Sequence, residues 1–60
     1  MKKLEFLGTS GTVYVAFESF GSYYVMEKSE YEKPIWNERK KMRIADAKSL
    51  QDCENCAKWL

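Results

Sequence analysis

The stretch TVYVAFESFGSYYVMEK, Thr12 to Lys28, says most about the fold of this chain. Its side chains alternate with period two, and the alternation breaks at Phe20-Gly21 before it resumes. Two alternating runs joined by such a break predict an antiparallel β-hairpin. Both faces of this hairpin carry large apolar or aromatic groups. Because a chain of 60 residues is small, we expect it to cover only one of the two faces.

The composition predicts one small globular domain, residues 1–60. A domain of this size buries only about 60% of the surface that its unfolded chain exposes, so we expect a stability on the order of a few kcal/mol. Ten Lys and Arg residues against nine Asp and Glu residues give a net charge of +1. This balance argues against a general nucleic-acid or membrane binder but allows local charged patches.

The N-terminus and the cysteines both indicate a cytoplasmic protein. Two lysines lie near the start of the chain, but Glu5 interrupts the apolar run that follows them and Gly8 ends it. A secretory signal needs roughly 7 to 15 unbroken apolar residues, and no stretch is long enough to cross a bilayer. The chain also has only two cysteines, whereas small secreted domains usually carry several disulfides.

The remaining elements follow from the same periodicities. The predicted strands are Lys3–Leu7, Thr12–Glu18, Tyr23–Lys28 and Lys40–Ala45, with turns at Gly8–Gly11 and Ser19–Ser22. A helix is expected to begin at Ser49, whose hydroxyl can cap it, with Asp52 in its first turn. Its apolar stripe is Leu50, Cys53, Cys56, Ala57 and Leu60. The predicted fold class is α+β: an antiparallel meander of three to four strands with one C-terminal helix packed on one face.

The two turns set the expected register of the first three strands. They place Phe6 opposite Val13, and Phe17 opposite Tyr24. One face then collects the expected core, which the helix would cover: Leu4, Phe6, Val13, Val15, Phe17, Tyr24, Met26, Met42 and Ile44. The other face, expected to remain exposed, collects Glu5, Leu7, Tyr14, Ala16, Glu18, Tyr23, Val25 and Glu27.

That exposed face is the first candidate site. Its predicted partner-binding residues are Glu5, Tyr14, Glu18, Tyr23 and Glu27. Tyrosine is enriched at interface hot spots, and surrounding carboxylates favour a basic surface on the partner. The competing interpretation is a solvated sheet face on which tyrosines pair across the strands.

A basic segment is the second candidate site. Arg39, Lys40, Lys41 and Arg43 form the main basic cluster and can contact phosphates. In architecture alone, a three-stranded sheet followed by a helix resembles the arm-type DNA-binding domains of phage integrases. Those domains carry basic residues across the sheet, where this sequence places glutamates. The competing interpretation is an edge strand whose charges block aggregation.

Cys53 and Cys56 form the third candidate, a C-x-x-C pair whose functional interpretations are metal ligation and redox exchange. A zinc site needs four ligands, and the chain has no histidine and no other cysteine, so only a dimer could complete one. Both positions lie on the predicted apolar stripe, where cysteine acts as a small hydrophobic residue. No resident metal or cofactor is expected, and no set of residues indicates catalysis.

The sequence therefore predicts a small non-enzymatic interaction protein. Its acidic and aromatic face would dock on the basic surface of a protein or protein–nucleic-acid complex and occlude it. In size and style such a protein is similar to phage and mobile-element inhibitors of nucleic-acid-handling host complexes, including the anti-CRISPR proteins. The alternatives are a DNA-binding accessory or regulatory protein using residues 39–43, and a dimer bridged by a metal through the cysteines.

Overall fold

The computed structural model describes residues 3–59 and shows an α+β fold. Four strands form one antiparallel sheet in the order β1-β2-β3-β4, and a helix follows at the C-terminal end. The strands are β1 (Lys3–Leu7), β2 (Val13–Ser19), β3 (Ser22–Glu27) and β4 (Met42–Arg43). The helices are α1 (Lys28–Tyr31), a 3-10 helix (Trp36–Glu38) and α2 (Leu50–Ala57). The predicted meander with a C-terminal helix is confirmed, although β4 is shorter than predicted.

Helix α2 begins where its capping residues predict. The Ser49 hydroxyl accepts a hydrogen bond from the Asp52 backbone N–H at 3.2 Å. The Asp52 carboxylate accepts one in return from the Lys48 backbone N–H at 2.9 Å. Two backbone donors at the helix start are thereby satisfied, which stabilises a helix of only two turns. No helix within residues 3–59 has the length and apolarity needed to cross a membrane.

The β2–β3 register is as predicted, and the β1–β2 register is not. Phe17 pairs with Tyr24 across the hairpin, as expected. In β1, however, Phe6 pairs with Tyr14 instead of Val13. The β1–β2 loop is one residue longer than predicted because Thr12 belongs to it, and the Gly8 N–H donates to the Thr12 carbonyl at 2.9 Å. A slip of one residue moves every side chain of β1 to the other face relative to β2.

This slip changes which side chains lie beneath α2. The α2 side of the sheet buries Phe6, Ala16 and Val25 against Cys53 and Ala57 of the helix. The partly buried side chains around this core are Leu4, Tyr14, Tyr23, Ile44, Ala47 and Leu50. The prediction that Tyr14, Ala16, Tyr23 and Val25 lie on an exposed sheet face is therefore wrong. Leu4, Phe6 and Ile44 do lie beneath α2, as predicted.

The opposite sheet face is also covered, contrary to the expectation that one face stays bare. Val15, Phe17 and Met26 are buried there, and α1 packs against β2 and β3. The covering layer comes from the segment between β3 and β4, which contains α1 and the 3-10 helix. Val13, predicted to be core, lies beyond this layer and is exposed. Both hairpin faces carry aromatic side chains because both are covered, one by α2 and the other by the segment between β3 and β4.

Candidate binding surfaces

The five predicted partner-binding residues do not share one surface. Tyr14 pairs with Glu27 and Glu18 pairs with Tyr23, so these four point to the α2 side of the sheet. Glu5 pairs with Val15 and points to the opposite face. The cause is the β1–β2 register, which inverts β1 relative to the prediction.

The two tyrosines are half-buried supports of α2. The ring of Tyr14 stacks on the ring of Phe6, with centroids 5.7 Å apart. The Tyr23 hydroxyl donates a hydrogen bond to the Lys48 carbonyl at 3.2 Å, next to the α2 start. Glu18 and Glu27 remain exposed at either end of this side. The α2 side therefore offers separated carboxylates around a helix instead of a flat aromatic and acidic sheet face.

The opposite face gathers four aromatic side chains. Phe17 lies at its centre, with ring centroids of Tyr24 at 5.8 Å, Tyr31 at 5.5 Å and Trp36 at 5.1 Å. Trp36 also meets Tyr24 edge-on at 5.4 Å. Offset and edge-to-face aromatic pairs at such distances stabilise beyond the area they bury. This cluster fixes the segment between β3 and β4 on the sheet.

Three cations pack on the outer rings of this cluster. The Lys3 Nζ lies 5.0 Å from the Tyr31 ring centroid, and the Arg39 guanidinium lies 5.1 Å from the same ring. The Lys41 Nζ lies 4.4 Å from the Trp36 ring centroid. A cation within about 6 Å of an aromatic ring is attracted by its electron-rich face. The ring faces of Tyr31 and Trp36 are therefore already in contact with cations of the same chain.

Two residues of the predicted basic cluster have structural contacts. The Arg39 Nε donates to the Lys33 carbonyl at 2.8 Å. The Lys41 Nζ donates to the carbonyls of Trp36 and Arg39, each at 3.2 Å. These bonds close the loop around the 3-10 helix. Both side chains are half-buried and keep their charge at the surface of the cluster.

Glu30 links α1 to the residues that precede β4. Its carboxylate accepts the Lys40 backbone N–H at 2.9 Å and meets the Lys33 ammonium at 2.9 Å. The pKa of Glu30 is held below its usual value, mainly by the hydrogen bond from the Lys40 backbone and next by the hydrogen bond from the Lys33 side chain. The ionised carboxylate is thus part of the fold, and its charge is compensated locally.

The other cations of this surface are exposed. Arg43 pairs with Tyr24, and Lys40 precedes β4 beside α1. Lys28 and Lys3 approach the single carboxylate of Glu5, at 3.3 and 4.0 Å. We call this surface the aromatic–basic face; it consists of Lys3, Phe17, Tyr24, Lys28, Tyr31, Trp36, Arg39, Lys40, Lys41 and Arg43. Residues 28–43 together with Lys3 and Glu5 contain seven cations and four carboxylates, Glu5, Glu30, Glu32 and Glu38, so this side of the sheet carries a net positive charge.

The two cysteines lie in different environments. Cys53 is fully buried in the core beneath α2, whereas Cys56 is exposed. Burial, with smaller contributions from Cys56 and Asp52, raises the pKa of the Cys53 thiol, so it is protonated at neutral pH. The prediction that Cys56 lies on the apolar stripe is wrong, because it lies about 120° around the helix from Leu50. Leu60, predicted on the same stripe, lies outside the described residues. Among residues 3–59 no group of His, Cys, Asp or Glu side chains fits a metal site.

Six members of the aromatic–basic face are not among the predicted site residues: Phe17 and Tyr24, predicted only as core, and Lys3, Lys28, Tyr31 and Trp36. A signal for two of them is present in residues 31–41, where Tyr31 and Trp36 interleave with basic residues. Alternating aromatic and basic residues are typical of surfaces that bind nucleic acid. Lys3 and Lys28 carry no comparable signal, because only the sheet register brings them to this face.

Comparison with known proteins identifies no relative. The chain has no match among protein-family models, curated proteins or solved structures at the level that indicates a relationship. Function is therefore argued from the surface chemistry alone.

Proposed function

We propose that this protein is a small non-enzymatic nucleic-acid-binding protein that contacts phosphates through the aromatic–basic face. The observation that carries the proposal is the arrangement of exposed cations around the aromatic cluster. Lys3 and Arg43 point to the same sheet face, opposite Phe17 and Tyr24 respectively. A rigid positive surface of this kind attracts a polyanion and releases its counterions.

Phosphate contacts are the main interaction that this geometry supports. Arg39 and Lys41 already bond to backbone carbonyls, which holds them in place beside the rings. The more exposed cations are Lys3, Lys28, Lys40 and Arg43. If about three to four of them meet phosphates, the slope of log K against log salt is about −3. Binding of this kind is largely independent of base sequence.

The test measures binding to a fluorescently labelled 20-nucleotide single strand and its duplex by anisotropy. We expect affinity to fall roughly 50-fold between about 50 and 200 mM NaCl. The variant Lys40→Ala/Arg43→Ala should weaken binding and reduce the salt slope by about 2. Both residues are exposed, so the fold is expected to persist.

The matched control removes the same charge from the α2 side. Lys48→Ala/Lys58→Ala lowers the net charge equally, yet both lysines belong to the segment around α2. We expect this variant to bind nearly as the unmodified protein does. The proposal is contradicted if the unmodified protein does not bind at low salt, or if the two double variants lose equal affinity.

A second candidate function is occlusion of a basic protein surface, as an inhibitor of a nucleic-acid-handling complex would act. The exposure of Glu18 and Glu27 on the α2 side favours it. Asp46 and Glu54 add acidic groups near the helix. This candidate is favoured over the first if the protein binds no nucleic acid and if Glu18→Lys/Glu27→Lys no longer binds a partner that the unmodified protein binds.

A further inference from the structure

Phe20 has no structural role in the described fold. It is fully exposed at the tip of the β2–β3 hairpin, just beyond the Ser19–Ser22 pair. Both central residues of the turn have positive φ, 50° at Phe20 and 79° at Gly21. Such a turn favours Asn or Gly at the first of these positions, because a larger side chain is strained there. The chain thus carries an aromatic ring where it gains no packing and where the backbone disfavours it.

The neighbours of Phe20 leave its ring open. Ser19, Gly21 and Ser22 are all small, so no side chain next to it in the turn covers either face of the ring. This contrasts with Tyr31 and Trp36, whose rings contact Arg39 and Lys41 respectively. Trp59 is also exposed, but the Lys58 Nζ lies 5.2 Å from its ring centroid, whereas Phe20 is fully exposed and its ring is free to stack on a planar ligand.

Phe20 also projects from the end of the sheet that carries basic side chains. The Phe17–Tyr24 pair lies two rungs from the Ser19–Ser22 pair. Lys3 pairs with Phe17, and Arg43 pairs with Tyr24. Phe20 is thus about 10 Å along the strand from these cations, the rise of about three stacked nucleotides. Glu18 points to the α2 side of the sheet, away from Lys3 and Arg43.

We infer that Phe20 stacks on an unpaired base of a single-stranded nucleic acid whose phosphates lie on the aromatic–basic face. The inference rests on the proposed function and adds its substrate class, single-stranded over duplex. Unpaired bases present a planar face to an aromatic side chain, whereas bases inside a duplex do not. Stacking accepts any base, so this residue adds affinity without sequence preference.

The experiment compares two ligands of equal charge by fluorescence anisotropy. One is a labelled oligothymidine of about 12 nucleotides, and the other is a sugar–phosphate strand of the same length without bases. We expect Phe20→Ala to lower affinity for the oligothymidine about 5- to 100-fold. Its affinity for the abasic strand should not change, because the phosphate contacts remain. Phe20→Trp should retain binding to the oligothymidine.

Phe20→Asn separates loss of stacking from loss of folding. Asn suits the positive φ at this position, so the thermal midpoint should rise by a few degrees. Affinity for the oligothymidine should nevertheless fall as it does in Phe20→Ala. If the unmodified protein binds and Phe20→Ala binds the oligothymidine equally well, the stacking role is overturned while the proposed function stands. If the unmodified protein binds neither strand at low salt, both are overturned.

Discussion

Ala16 shows how one small side chain decides which face of the hairpin lies under the helix. It is 0% exposed, as are Cys53 and Ala57 of α2. Small side chains at a helix–sheet contact let the two backbones approach closely, and larger ones would force them apart. The polarity of β2 alone does not identify this position, because Val15 and Phe17 on the other face are equally buried. Along β2, the small size of Ala16, not its hydrophobicity, distinguishes the α2 side from the other face.

Enlarging Ala16 tests this packing at the scale of one residue. Ala16→Leu should lower the free energy of unfolding by about 1–3 kcal/mol, because the added methyl groups overpack the contact with α2. Val13→Leu is the matched control, since Val13 is 40% exposed on the opposite face, and it should change stability by less than about 0.5 kcal/mol. Urea denaturation measures both. Equal effects would contradict the observed register.

The segment between β3 and β4 acts as a structural element although only half of it is helical. Only α1 and the 3-10 helix interrupt its irregular path. It packs on the sheet because Tyr31 and Trp36 contact Phe17. The Lys41 ammonium then closes it onto the carbonyl of Trp36. Side-chain contacts, rather than a periodic backbone, thus supply the second layer of the fold.

The two tryptophans provide a test at the scale of this element. Trp36→Ala should destabilise the protein by roughly 2 kcal/mol, about half the effect for a fully buried aromatic residue. Trp59→Ala, at a position 72% exposed, should have an effect within about 0.5 kcal/mol. Thermal unfolding followed by circular dichroism measures both variants. If both variants were destabilised equally, Trp36 would not pack on the sheet, and its role in this layer would be refuted.

For each pair of strands, the register can be predicted only if the sequence fixes the length of the loop that joins them. The β2–β3 register is predictable because its alternation breaks only at Phe20-Gly21, which leaves little freedom in the pairing. The β1–β2 register is not, because Gly8 and Gly11 permit loops of more than one length. The packing of Trp36 is not predictable either, because no periodicity in the segment between β3 and β4 indicates which face of the sheet it covers.

At the scale of the whole molecule, charge is separated between the two sides of the sheet. The net charge is only +1, and no strong overall charge is therefore present. Glu18 and Glu27 point to the α2 side, whereas Lys3 and Arg43 point to the opposite one. A nearly neutral protein can thus present a positive face to one partner and a negative face to another.

Charge reversal on the α2 side tests whether the two sides act independently. In Glu18→Lys/Glu27→Lys each substitution adds two charges, so the net charge changes from +1 to +5. The molecule is 17 Å across its shortest axis. The Debye length is about 8 Å at 0.15 M salt and about 30 Å at 0.01 M. Affinity for the single strand should stay within about twofold at the higher salt and rise at the lower one. A large gain at 0.15 M, measured by anisotropy, would indicate that the α2 side itself binds nucleic acid.

The hairpin, the α+β meander and the capped start of α2 follow from short-range sequence patterns, whereas α1 and the 3-10 helix do not. Which side chains lie on which face of the sheet depends on the packing of the whole chain. A fifth loop residue, Thr12, inverts β1 relative to β2, and the segment with Trp36 covers the face left bare by α2. The physical reason is that alternation along a strand divides the side chains between two faces but does not show which face the helix covers. Burial of each face depends on the distant segment that packs on it. The basic residues 39–43 could be listed from the sequence, but their arrangement with Lys3 around the aromatic cluster arises only in the folded chain.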